Sequence, residues 1–218
     1  MRILITAATT AELLPAREFL ELINNQEDTH LCETGIGSTA TTYHTLKALT
    51  AASDRPYDLA INIGIAGSLS KDFPIGSVAR VVSDYFGDCG IQTASGFQSL
   101  FDARLINADT FPFSSGKLIP PPLAPELESA LASIAVADAV TMQHLVETGL
   151  ATLDTPLRAQ IETMEGAAFF YVCMFERLPC LALRAVSNKA GERDKAKWDI
   201  PLALSALKKS MSAIINRL

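Results

Sequence analysis

Glu12, Glu165 and Asn188 each stand where an apolar, strand-like run of the chain ends. Glu12 follows Arg2-Ile3-Leu4-Ile5-Thr6. Glu165 follows Ile161-Glu162-Thr163-Met164 and opens the Ala-rich stretch Gly166-Ala167-Ala168-Phe169-Phe170. Asn188 closes the run from Pro179 to Ser187. Two carboxylates suit proton transfer and the stabilisation of positive charge, and an amide carries a donor and an acceptor side by side. In an open α/β sheet ligands bind in the crevice beyond the carboxyl ends of the strands. Three polar groups from distant segments, all at such ends, are expected to converge on one pocket. Each also has a plain structural explanation. Thr9-x-x-Glu12 fits a capping box, Glu165 complements a helix dipole, and Asn188 suits a turn. The signal lies in the combination.

The elements that must position these residues follow from hydrophobic periodicity. Strands are expected at 2–7, 29–34, 58–64, 77–85, 134–141, 160–164 and 180–187. Helices are expected at 10–23, 38–53, 123–133, 142–151, 166–177 and 200–217. This alternation predicts a three-layer α/β/α fold around a central mixed, mostly parallel twisted sheet, in a single domain over 1–218. Residues 86–122 are the least regular. They hold Gly87, Gly90, Gly96, Gly116, Pro120-Pro121-Pro122 and the phenylalanines 97, 101, 111 and 113, a pattern that fits a lid or binding loop better than disorder.

Two glycine turns are expected at strand ends. Gly35-Ile36-Gly37-Ser38-Thr39-Ala40 has Ser38 as its natural N-cap, and Asn62-Ile63-Gly64-Ile65-Ala66-Gly67 is the second. Gly35-x-Gly37-x-x-Ala40 also matches the dinucleotide fingerprint. Against that match, an earlier strand leads the sheet, and Asn62-Ile63-Gly64 lacks the acid that would hold a ribose hydroxyl.

With 49% apolar and 19% charged residues among 218, the chain is long and apolar enough for a sizeable core. A net charge of -6 and a pI near 5.1 argue against nucleic-acid or anionic-membrane partners. No apolar run approaches the roughly 20 residues of a membrane span, and no signal peptide is evident. Cys32, Cys89, Cys173 and Cys180 have no metal-ligand or CxxC spacing, and His30, His44 and His144 are scattered. A cytoplasmic protein with reduced thiols, no metal and no cofactor is expected.

Taken in order, Glu12, Gly35-Ile36-Gly37, Gly64 to Gly67, Val81-Val82-Ser83-Asp84, Met164-Glu165-Gly166-Ala167-Ala168 and Arg184-Ala185-Val186-Ser187-Asn188 resemble the purine nucleoside phosphorylase and nucleosidase superfamily. The stretch Ser187 to Asp194, followed by Lys197-Trp198-Asp199-Ile200, is similar within it to the futalosine hydrolases. The resemblance implies hydrolysis of the ribose–hypoxanthine bond of futalosine, a step of menaquinone biosynthesis. Alternatives are a methylthioadenosine or S-adenosylhomocysteine nucleosidase, a purine nucleoside phosphorylase, and a nucleotide-binding homologue without activity.

The same resemblance makes Glu12 the base for an attacking water and Glu165 the acceptor of the ribose hydroxyls, with Met164 packed on the sugar. Arg184 would orient Glu12 or the water. Ala66, Gly67, Val140 and Thr141 would border the substrate, and Asn188 would face the base. Nucleosidases that release adenine carry Asp where Asn188 stands. An amide can donate to O6 of a 6-oxopurine and accept from a protonated N7, so hypoxanthine is the expected leaving group. Related phosphorylases place Arg and Ser at the positions of Asn62 and Ile65 to bind phosphate, so water is the expected nucleophile. Lys189 and Arg193 are candidates for the substrate's distal carboxylate. The Phe-rich 95–113 stretch would wall its aromatic ring across the interface of a homodimer or larger homo-oligomer.

Overall fold

A computed structural model describes residues 1–23, 28–94, 96–143, 159–192 and 194–215. Its elements are β1 (Ile3–Ala7), α1 (Thr10–Ile23), β2 (Thr29–Glu33), α2 (Ser38–Ala51), β3 (Leu59–Ser68), β4 (Val78–Ser83), β5 (Gly90–Thr93), β6 (Gly96–Ser99), β7 (Phe113–Ser114), β8 (Lys117–Leu118), α3 (Pro125–Leu131), β9 (Ala135–Thr141), β10 (Ile161–Thr163), α4 (Gly166–Phe175), β11 (Cys180–Lys189) and α5 (Ile200–Ile215).

Seven strands form one mixed sheet in the order β10-β9-β4-β11-β3-β1-β2. Most neighbours are parallel, and β11–β4 is antiparallel. All five residues of β1 are buried, as expected of a strand covered on both faces. Ile3 and Ile5 pack with Leu13 and Ala16 of α1, with α3, and with Ala203, Leu207 and Met211 of α5. Leu4, pointing the other way, joins the cluster built with α2 and α4. This is the three-layer arrangement that the alternating pattern predicts. Truncating a fully buried member such as Ile61 to Ala should cost about 2–5 kcal/mol.

One feature of the sheet is decisive for the site. Gly67 and Ser68, at the end of β3, pair antiparallel with Glu162 and Ile161 of β10, so the sheet curls back on itself. The expected glycine turn at 64–67 is therefore continuous strand, held by β11 on one side and β10 on the other. Here the glycines admit close neighbours rather than turning the chain.

Other boundaries shift for local reasons. Pro125 occupies the first helical turn and starts α3 two residues later than expected. Gly37, at φ 91, is the N-cap of α2, and Ser38 begins the helix without capping it. Met142 and Gln143 leave β9 without entering a helix, and the rest of the expected 142–151 helix lies outside the described residues. Within 86–122, β5 pairs with β6 and β7 with β8. The aromatic side chains of this region lie on α4: Phe113 contacts Phe101 and Tyr171, and Phe111 contacts Phe175.

Candidate active site

Gly64, sixth of the ten residues of β3, is the point on which the polar groups converge. Thr6 of β1 is in register with Asn62, so the chain leaving β1 carries Glu12 past Gly64 and Ile65. Arg184 of β11 is in register with Gly64. Because β10 runs antiparallel to β3, its carboxyl end leads back along β3 and brings Glu165 from the opposite direction. Glu12 and Arg184 therefore meet over the middle of one long strand, and Glu165 approaches near enough to interact with both by charge.

Glu12 is buried and has both oxygens engaged. Oε1 accepts the Ile65 N–H at 3.0 Å, and Oε2 accepts the Thr9 hydroxyl at 2.7 Å. Thr9 Oγ1 also accepts the Glu12 N–H at 3.3 Å, so the capping contact and the inward-facing carboxylate coexist. A Cβ on Gly64 would lie 2.9 Å from Glu12 Oε1 and 3.8 Å from the Arg184 Cζ. The missing side chain is what admits Glu12.

Arg184 is 1% exposed. Its Nη1 donates to the carbonyls of Asn62 at 3.2 Å and Leu183 at 3.0 Å, and its Nη2 donates to Asn62 Oδ1. Asn62 completes its amide by donating to Thr6 Oγ1 at 2.9 Å. Burial pulls the Arg184 guanidinium below its usual range, and attraction to Glu165, Glu12 and Asp84 offsets this. Arg184 thus acts on Glu12 by charge, while its Nη donors go to Asn62 and a backbone carbonyl. Asn62, compared above with a phosphate-binding position, is a wholly buried clamp for this arginine.

Glu165 is the N-cap of α4, yet its carboxylate leaves its own helix uncapped and accepts the Gly37 N–H at 2.9 Å. Burial raises its pKa. Arg184 and the Gly37 N–H oppose that rise, and the charge of Glu12 adds to it. Gln143 ties this corner together: its Oε1 accepts the Ser38 N–H at 3.2 Å and its Nε2 donates to the Met164 carbonyl at 2.8 Å. Met164 itself is 38% exposed.

Ser187 is the extra residue of a bulge in β11, since Val186 pairs with Ala66 and Asn188 with Gly67. Asn188 Oδ1 accepts the Ser187 hydroxyl at 2.7 Å, and its Nδ2 donates to the Lys189 carbonyl at 2.8 Å. A carbonyl can only accept, so the amide orientation is determined. One N–H and one lone pair remain for a ligand. Ala66 and Gly67 lie beside this bulge, with Ala66 O accepting from Ser187 Oγ at 3.4 Å and Gly67 close against Ala190.

Val140 and Thr141, expected at the base, are instead fully buried. Val140 packs with Tyr85 and Met142, and the Thr141 hydroxyl is held by Asp84. Lys189 is exposed, and Arg193 lies outside the described residues. Asp84, Thr163 and Gln143 received no role from sequence, and Asn62 only that of an altered phosphate position. Only the run Val81-Val82-Ser83-Asp84, an acid ending an apolar strand, signalled any of them. Among the described residues no three His, Cys, Asp or Glu side chains are placed to hold a metal ion.

Residues 17–218 match the family model of the phosphorylase superfamily. The futalosine hydrolase of Thermus thermophilus is 32% identical over 189 residues, which are 84% of this chain and 79% of that protein. The chain belongs to the phosphorylase superfamily, in its futalosine hydrolase family. The futalosine hydrolase of Streptomyces coelicolor is 33% identical over 162 residues, 72% of this chain; the match spans 65% of that relative's own length. In fold, the native futalosine hydrolase of Helicobacter pylori superposes with a TM-score of 0.78 at 18% identity, covering 100% of this chain and 98% of that one. A Helicobacter pylori 5'-methylthioadenosine/S-adenosylhomocysteine nucleosidase bound to butyl-thio-DADMe-Immucillin-A gives 0.78 at 18%, covering 100% and 99%. Likeness at that identity speaks to the fold, which this family shares with nucleosidases of other specificity.

Proposed function

We propose that this chain hydrolyses the N-ribosyl bond of futalosine, giving hypoxanthine and dehypoxanthine futalosine. The observation that carries the proposal is the meeting of Glu12 and Glu165 around Arg184, the one buried arginine among the described residues. Cleaving a ribose–purine bond builds positive charge on the sugar and negative charge on the departing base. The carboxylates of Glu12 and Glu165 against the one guanidinium of Arg184 leave the site negative, which favours an oxocarbenium-like sugar.

In this reaction Glu12 takes a proton from water as its oxygen adds to the anomeric carbon and the C–N bond breaks. The Ile65 N–H and Thr9 hydroxyl hold Glu12 in place for that transfer. Glu165 accepts the ribose hydroxyls, with Met164 against the sugar. The departing base takes its proton at N7 from solvent, and Asn188 meets it with its remaining N–H toward O6 and its remaining lone pair toward the N7–H. Ala66 and Gly67 border the base beside the bulge. An ionised Asp at 188 would face the Lys189 carbonyl at 2.8 Å and the base O6 with acceptors only. The amide therefore favours a 6-oxopurine.

Water is the nucleophile, because Asn62 has its amide committed to Thr6 and Arg184 and offers phosphate no free side-chain donor. The same proposal takes the enzyme to be cytoplasmic, without metal or cofactor, and a homodimer or larger homo-oligomer. Exposed Ile36, Tyr43, Phe111 and Phe175 support a self-association surface, and light scattering would give the mass.

The test is incubation with futalosine, methylthioadenosine and inosine, each with and without phosphate, followed by chromatography of the free base. Hypoxanthine from futalosine without phosphate is expected. Adenine as the preferred product would move the chain to the methylthioadenosine nucleosidases, a strict phosphate requirement to the phosphorylases, and no release at all to a binding role.

A further inference from the structure

We infer that Asp84 is a positioning residue whose carboxylate anchors the first turn of α4 through a relay of two threonine hydroxyls, thereby setting the Glu165 carboxylate. The inference rests on the proposed role of Glu165 as the ribose acceptor.

Asp84 is fully buried immediately after β4. Its backbone exchanges hydrogen bonds with Leu118 at 3.1 and 2.8 Å, so it cannot drift. Oδ1 accepts the Tyr85 N–H at 2.8 Å, and the Thr141 hydroxyl lies 3.0 and 3.1 Å from the two carboxylate oxygens. A threonine hydroxyl has one proton. With that proton directed to Asp84, Thr141 Oγ1 accepts from the Ala167 N–H at 2.8 Å and from the Thr163 hydroxyl at 2.9 Å. Thr163 Oγ1 in turn accepts the Gly166 N–H at 3.2 Å. Every bond then points the same way, from two N–H groups at the helix start, through two hydroxyls, to one carboxylate. Such a chain needs an acceptor at its far end.

Gly166 brings the anchor against the helix. A Cβ there would lie 2.2 Å from Asp84 Oδ2, so the carboxylate sits where a side chain would be, one residue beyond Glu165. The charged groups around Asp84 are Arg184 on β11 and Glu165 beyond Gly166; Lys117, beside Leu118, pairs instead with Asp138 at 3.4 Å. Burial pushes the Asp84 carboxyl up to about 7, against the hydrogen bonds and Arg184. Folding alone therefore disfavours the ionised acid at neutral pH, whereas the relay finds two oxygens free to accept only when the acid is ionised.

Asp84→Asn keeps the shape and removes the charge. Its kcat/KM for base release should fall about 10- to 100-fold, with the acid limb of the wild-type pH profile displaced. Thr163→Val breaks the relay at constant volume and should lose activity comparably, while Thr163→Ser restores the hydroxyl and most of the activity. Wild-type kcat/KM with an unchanged pH profile in Asp84→Asn would overturn the inference, as would equal activity of the Val and Ser variants. If Asp84→Asn does not fold, the Thr163 pair decides alone. A readout without substrate separates this inference from the function itself. The wild-type thermal midpoint should fall relative to Asp84→Asn as pH rises from 3.8 to about 7 and level off above, because in that window the folded acid holds a proton that the unfolded chain has released. A crystal structure of Asp84→Asn in which the Glu165 carboxylate still accepts the Gly37 N–H at about 2.9 Å would refute the role of Asp84 even in an active enzyme. A wild type with the expected thermal difference but no base release would refute the proposed function instead.

Discussion

Replacing Gly64 by Ala should uncouple folding from activity. The added Cβ would stand 2.9 Å from Glu12 Oε1, about 0.5 Å inside the 3.4 Å at which ordinary contact begins. Gly64 is not in the left-handed region, so Ala adds no backbone strain. The obstructing atom ends a side chain and can retreat, so the stability cost is no more than that of one charged hydrogen bond, about 1.5–3 kcal/mol, and the fold is kept. Retreat draws Glu12 away from the Ile65 N–H at 3.0 Å and the Thr9 hydroxyl at 2.7 Å. Hydrogen bonds to a charged group contribute about 1.5–3 kcal/mol. At about 1.4 kcal/mol per tenfold in rate, loss of one such bond predicts a 10- to 100-fold fall in kcat. The assay is initial-rate hypoxanthine release alongside a thermal melt. A variant with wild-type kcat would refute the placement of Glu12, and a large stability loss would refute the claim that only a side-chain tip is displaced.

Three further outcomes follow from other contacts of the fold. Asn62→Leu removes the acceptor of Arg184 Nη2 and should destabilise the fold by about 2–3 kcal/mol, read from the urea midpoint; no change would mean that the arginine finds another partner. Asn188→Asp should lower futalosine turnover about 100-fold while raising the ratio of adenine to hypoxanthine released from mixed 6-amino and 6-oxo substrates. An unchanged ratio would remove Asn188 from base recognition. Arg80 holds the Glu128 carboxyl down to about 2 through hydrogen bonds of 2.5 and 2.6 Å. A lowered carboxyl stabilises above its ordinary value and loses that contribution as pH falls through the folded value. With 36% of the Glu128 side chain exposed, the contribution is about 1 kcal/mol. The thermal-midpoint gap between wild type and Arg80→Met should therefore close between pH 4.5 and about 2.

Most strands and helices were legible because buried strands here are continuous apolar runs and the helices follow the apolar periodicity. What local pattern could not supply was pairing. Gly64 to Gly67 reads as a turn until β10 is known to lie against it, and that antiparallel contact joins residues far apart in sequence. The same contact explains why Glu12 and Glu165 were legible as a pair but their meeting place was not. Asn62 looked like an altered phosphate ligand because its partner, Arg184, stands 122 residues away. Gln143 was hidden inside an expected helix, and Thr141 looked like a pocket residue because nothing local shows its hydroxyl turned to Asp84. Asp84 closed an apolar strand just as Asn188 does, yet one is sealed in the core and the other lies beside a bulge.

The most direct test of two carboxylates serving one substrate is the rate of hypoxanthine release from futalosine by Glu12→Gln, Glu165→Gln and the double variant, all verified as folded. Groups that act together are strongly non-additive, so each single variant should lose at least about 100-fold and the double variant little more than the worse single. Near-normal turnover in either single variant, or losses that multiply in the double, would contradict a shared site.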